Sequence, residues 1–159
     1  AQLTCGICEC SICKSCTQFV EENRFSFMAQ VPKFLAHTSY CESCFYEKVQ
    51  PEMENYDALM EKAKSISVFD KSQSKETRLI KRLEETVKVV NCEDRNETVL
   101  RLAFFAAQKN LNSLVDVETT SQKVKNGSYQ TTIWSGTAVP TQVDDRKLLK
   151  DRSLWHQPN

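Results

Sequence analysis

Seven of the 8 cysteines lie within the first 44 residues: Cys5, Cys8, Cys10, Cys13, Cys16, Cys41 and Cys44. A thiolate is a soft metal ligand, and C-x-x-C spacing brings two thiolates within reach of one tetrahedral ion. Two such pairs complete an S4 zinc site. CKSC at Cys13 and Cys16 and CESC at Cys41 and Cys44 are the best-matched pairs, separated by residues 17–40. The spacing therefore predicts Zn2+ held by Cys13, Cys16, Cys41 and Cys44. A third pair, Cys5 and Cys8, precedes them, and Cys10 lies three residues before Cys13. With His37 these bring the number of candidate ligands to eight, the count for two tetrahedral ions. A second site would then use Cys5, Cys8, Cys10 and His37. One zinc with spare thiols and a surface His37 is the simpler alternative, and the spacing alone leaves both open. A redox C-x-x-C pair is a weaker reading, because no thioredoxin-like strand–helix context accompanies the motif. Reduced cysteines of this kind favour the cytoplasm, whereas a secreted disulfide framework scatters its cysteines.

These ligands need elements to hold them. A short segment with few large aliphatics cannot bury enough surface to fold unaided, so metal or disulfides must supply the difference. Beyond Gln50-Pro51 the pattern changes to ordinary hydrophobic periodicity, with Cys92 the one cysteine there. The organisation predicted is a zinc-binding module over 1–50, an α+β domain over 51–140 and a polar tail over 141–159. Leu148, Leu149, Leu154 and Trp155 are isolated anchors in that tail.

Met53, Tyr56, Leu59, Met60 and Ala63 recur at helical spacing. Ile66, Val68 and Phe69 read as a short strand. Ser72 or Ser74 would cap a second helix with Leu79, Ile80, Leu83 and Val87 inside and Lys75, Arg78, Lys81 and Arg82 outside. Val87 to Cys92 reads as a buried strand, with Cys92 a small buried hydrophobe. Asp94-x-x-Glu97 matches a capping box before a helix bearing Val99, Leu102, Ala103, Ala106 and Ala107. Leu114 to Val124 and Tyr129 to Val139 form a hairpin through Asn126-Gly127. The order βαβαββ implies helices packed on a mixed sheet.

Two resemblances follow from these motifs. CSICKSCTQF…HTSYCESCFYEKV resembles the treble-clef class of zinc modules: a first knuckle, a β-rich stretch, then a second knuckle opening a helix. That resemblance implies Phe19 and Phe45 packed around the site, and members of the class bind protein, lipid or nucleic acid. The basic motif of its phosphoinositide-binding members is replaced here by Leu35-Ala36-His37-Thr38-Ser39-Tyr40. AAQKNLNSLVDVETTSQKVKNGSYQTTIWSGTAV resembles the YbjQ-like family of small bacterial proteins labelled heavy-metal-binding. That resemblance implies a ring-like homo-oligomer. Its metal label does not carry over, since residues 93–159 contain no cysteine.

Composition narrows the function. Lys plus Arg and Asp plus Glu are both 21, so nothing favours general nucleic-acid binding. No apolar run approaches the ~20 residues of a membrane-spanning helix. With 3 glycines, Gly6, Gly127 and Gly136, no phosphate-cradling loop can be built in its usual form. Asp116 and Glu118 could pair as carboxylates on one strand face, but an exposed polar face is the plainer reading. Asn96-Glu97-Thr98 and Asn126-Gly127-Ser128 fit the glycosylation sequon, and both have structural readings as a helix first turn and a hairpin. The function expected is that of a non-enzymatic zinc protein acting as an interaction or scaffold unit, with a protein partner or homo-oligomerisation. Metal sensing or trafficking through the surplus thiols is the alternative, and a zinc enzyme or ligase-type adaptor a more distant one.

Overall fold

The computed structural model describes residues 2–78, 80, 82 and 84–143. The chain divides into two compact units, Ala1–Ala58 and Leu59–Asn159. This division falls eight residues after Gln50, inside a helix, because Tyr56 and Asp57 on that helix bond back to the cysteine-rich segment. Most of the expected tail, from 144 onward, lies outside the described residues, as do Leu79, Lys81 and Leu83.

The first unit is assembled from pieces too short to persist alone. Strand β1 (Leu3–Thr4) pairs antiparallel with β2 (Ser11–Ile12), and β3 (Gln18–Phe19) with β4 (Ser39–Tyr40). Helix α1 (Glu42–Cys44) continues through a π-helical stretch, Phe45–Val49, into α2 (Gln50–Lys64). Phe25, Leu35, Tyr40, Val49 and Tyr56 are buried. Their polar atoms are satisfied locally, as burial requires. Tyr40 donates to the Phe34 carbonyl at 2.7 Å, and Tyr56 accepts from the Phe27 N–H at 3.1 Å. Tyr56 also meets Phe25 edge-on at 5.3 Å between ring centroids.

The second unit is α+β. Its strands are β5 (Ser67–Asp70), β6 (Val87–Cys92), β7 (Ser113–Asn126) and β8 (Tyr129–Thr141), and its helices are α3 (Ser74–Thr77) and α4 (Arg95–Gln108). The sheet order is β5-β7-β8-β6, with β5 parallel to β7 and the other pairs antiparallel. Val99, Leu102, Ala103, Phe104, Ala106 and Ala107 give α4 its buried face, and Phe69, Ile80, Val115, Val139 and Val143 cluster as buried apolar side chains. Asp94 caps α4 by accepting from the Glu97 N–H at 2.7 Å, while Glu97 accepts from Glu93 N–H at 2.9 Å. Cys92 is buried, as its apolar setting predicts.

Two local expectations need correction. The helix expected after a Ser72 or Ser74 cap instead follows Gln73, with no side-chain cap, and is one turn long; Arg82 binds the carbonyls of Thr77 and Ile80 that a continuing helix would use internally. The hairpin pairs Asn126 with Tyr129, so Gly127 and Ser128 form the turn. Glycine at its first central position, with φ +67°, is the type II′ arrangement, which requires positive φ there alone. Among the described residues, no helix is long and apolar enough to cross a membrane.

Candidate metal centre

The segment from Cys5 to Cys10 reverses the chain between β1 and β2. Cys5 N–H donates to the Cys10 carbonyl at 2.9 Å and Glu9 N–H to the Cys5 carbonyl at 3.1 Å. Glu9 closes the reversal with φ 63°, and Ile7 N–H points at Cys5 Sγ at 3.4 Å. The second knuckle is Cys41 to Cys44, with Cys41 immediately before α1 and Cys44 at its end. Gly6 N–H donates to the Ser39 carbonyl at 3.0 Å, and Ser39 Oγ to the Thr4 carbonyl at 2.8 Å. Those bonds lash β1 beside β4, and Cys41 follows β4 directly.

As a result, the sulfurs of Cys5, Cys8, Cys41 and Cys44 lie within 4.8 Å of one another. Cys8 and Cys41 are 3.8 Å apart. Four thiolates each about 2.3 Å from a shared zinc are about 3.8 Å apart, so this spacing suits a tetrahedral ion. The donors are all sulfur, which favours zinc, monovalent copper or iron over hard cations.

The thiols differ in proton affinity. Burial pushes Cys5 up, but the backbone N–H groups of Cys41, Ile7 and Cys8 outweigh it and bring the thiol down to about 6. Hydrogen bonding to Cys10 lowers Cys8. Cys44 is pushed up to about 12 by burial, then by hydrogen bonds to Cys41, Cys5 and Cys8. Cys5 thus ionises readily, whereas Cys44 holds its proton. A divalent cation among them favours the thiolate at every position.

The structure therefore joins Cys41 and Cys44 to Cys5 and Cys8. Cys13 and Cys16 stand outside this group, on an exposed turn after β2. Cys10 is exposed, with its sulfur 3.0 Å from Cys8. His37 is exposed too, and its ring lies where a Cβ on Gly6 would meet it at 2.5 Å. Phe19, placed against the site by the resemblance, is 58% exposed. Phe45 is half-buried and packs edge-on to Tyr46 at 5.1 Å.

The carboxylates Asp116 and Glu118 are separately engaged. Asp116 accepts two bonds from Arg82, at 3.0 and 3.1 Å, and Glu118 pairs with Lys71 at 3.5 Å. No family model matches the chain, nor does any curated protein or solved structure.

Proposed function

We propose that Cys5, Cys8, Cys41 and Cys44 hold one structural zinc ion, and that the chain is a non-enzymatic interaction or scaffold unit. The observation that carries this reading is the convergence of four sulfurs from two C-x-x-C knuckles at tetrahedral spacing. Four cysteines close the coordination sphere and leave no position for a substrate or water, the mark of a structural rather than a catalytic site. The order of knuckle hairpin, second hairpin and cysteine-opened helix supports a treble-clef-like module. The passage from α4 into the β7–β8 hairpin supports the YbjQ-like reading of the second unit.

Zinc content by elemental analysis of mass-selected protein is the test. One tightly held zinc is expected at these four sulfurs. Cys41→Ser should lose it and collapse the amide dispersion of residues 2–58. Retained metal and dispersion in that variant would overturn the reading, and iron instead of zinc would reassign the ion.

The thiol of Cys10 favours a second reading, metal exchange or trafficking. An exposed fifth sulfur beside a ligand can enter the coordination sphere as another leaves. On that reading Cys10→Ser slows zinc transfer to a chelator severalfold without changing stoichiometry, and an unchanged rate removes its basis.

A further inference from the structure

The turn between β2 and β3 presents two thiols that the four-sulfur group does not use. Cys16 N–H donates to the Cys13 carbonyl at 3.1 Å, closing the one-turn 3₁₀ helix Lys14–Cys16. Thr17 Oγ1 donates to that same carbonyl at 2.7 Å, and Thr17 is buried. The turn is thereby fixed from its inner side while Cys13 and Cys16 remain exposed. The two thiols engage each other: hydrogen bonding to Cys16, then to Ser15, brings Cys13 down to about 7. Ser15 Oγ lies 3.3 Å from Cys13 Sγ.

This is half of a sulfur site. Among the described residues, the one group of three or more His, Cys, Asp or Glu ligands within reach of a common ion is Cys5, Cys8, Cys41 and Cys44. Cys13 and Cys16 thus have two soft donors and no third, whereas zinc held by cysteine takes four. Among the described residues nothing supplies the other two, and a second copy of the same turn would supply them as sulfur.

We propose that Cys13 and Cys16 from two copies of this chain complete one shared S4 zinc site, joining the copies about a twofold axis. Each copy contributes the same patch, as an isologous contact requires. Four thiolates and one Zn2+ leave two negative charges; the exposed Lys14 of each copy lies on the same turn and is offset by Glu42, whose charge acts on Cys16. Phe19, 58% exposed on the strand that follows the turn, offers each copy an apolar surface. Formation releases four thiol protons to solvent as four Zn–S bonds form, with no change in oxidation state. The inference goes beyond the structural site and does not require it.

Native mass spectrometry of the reduced full chain with added zinc, read with elemental analysis, tests the proposal. The wild type should be a dimer carrying three zinc ions, one in each closed site and one shared. The double variant Cys13→Ser/Cys16→Ser should be a monomer with one zinc. Cys10→Ser should remain a dimer with three zinc ions. A dimer carrying only the shared ion would support this bridge while overturning the closed site. A wild type that stays monomeric in excess zinc, or a double variant that still dimerises with the wild-type zinc content, would overturn the bridge.

Discussion

Glu9 carries the first knuckle through the left-handed region at φ 63°, a conformation that costs a side-chain-bearing residue about 1–2 kcal/mol. Glycine occupies it freely. Glu9→Gly should therefore hold zinc more tightly, by up to about tenfold in a competition titration with a chelator. Gly6 imposes the opposite constraint, because a methyl group there would collide with the His37 side chain at 2.5 Å. Gly6→Ala should loosen the link between Gly6 and Ser39 and weaken zinc binding in the same titration. At this scale the cysteine chemistry was legible, but the choice of partners was not. Cys5-x-x-Cys8 and Cys13-x-x-Cys16 have identical spacing, so nothing local ranks them against Cys41 and Cys44. The deciding contacts are Gly6 to Ser39 and Ser39 to Thr4, made between residues more than thirty positions apart.

Helix α4 was readable because its signals are local and agree: an Asp94 cap, Glu97 three residues on, and an apolar face. Asp94→Ala removes the bond to Glu97 N–H and should cost about 1 kcal/mol in chemical denaturation of the second unit. The helix lies close to the sheet at Gly136, where an added Cβ would come 2.6 Å from Thr98 and 3.2 Å from Leu102. Gly136→Ala should destabilise the unit by about 1–3 kcal/mol, more than the lost cap, because α4 or β8 must shift to admit a methyl group. The segment after Thr77 misled for the converse reason. Its helical spacing is real, but Arg82 ties it to Asp116, which sits at a β-bulge with φ 55°. No pattern within residues 75–87 announces a partner 34 positions downstream.

At the scale of the whole chain, the two units rest on different forces. The first has two-residue strands and a four-sulfur group, whereas the second has a buried helix face and a four-stranded sheet. Chelation should therefore abolish the amide dispersion of residues 2–58 and leave that of 59–143 intact, as read by NMR. Simultaneous loss of both sets would show that the second unit depends on the first. The mixed sheet was foreseen from the hairpin and the alternation of elements, but its strand order was not. Sequence pattern marks which face of a strand is buried, not which neighbour lies along its edge.

That strand order bears on how the protein is made. β8, the last strand among the described residues, separates β7 from β6, and β7 in turn provides the neighbour of β5. During synthesis β5 and β6 leave the ribosome without a native pairing partner, and β6 waits for the last strand of the sheet. The sheet can begin at β5 and β7, but β6 has no edge to join until β8 has emerged, so closure comes late and leaves β6 open to association with other chains until then.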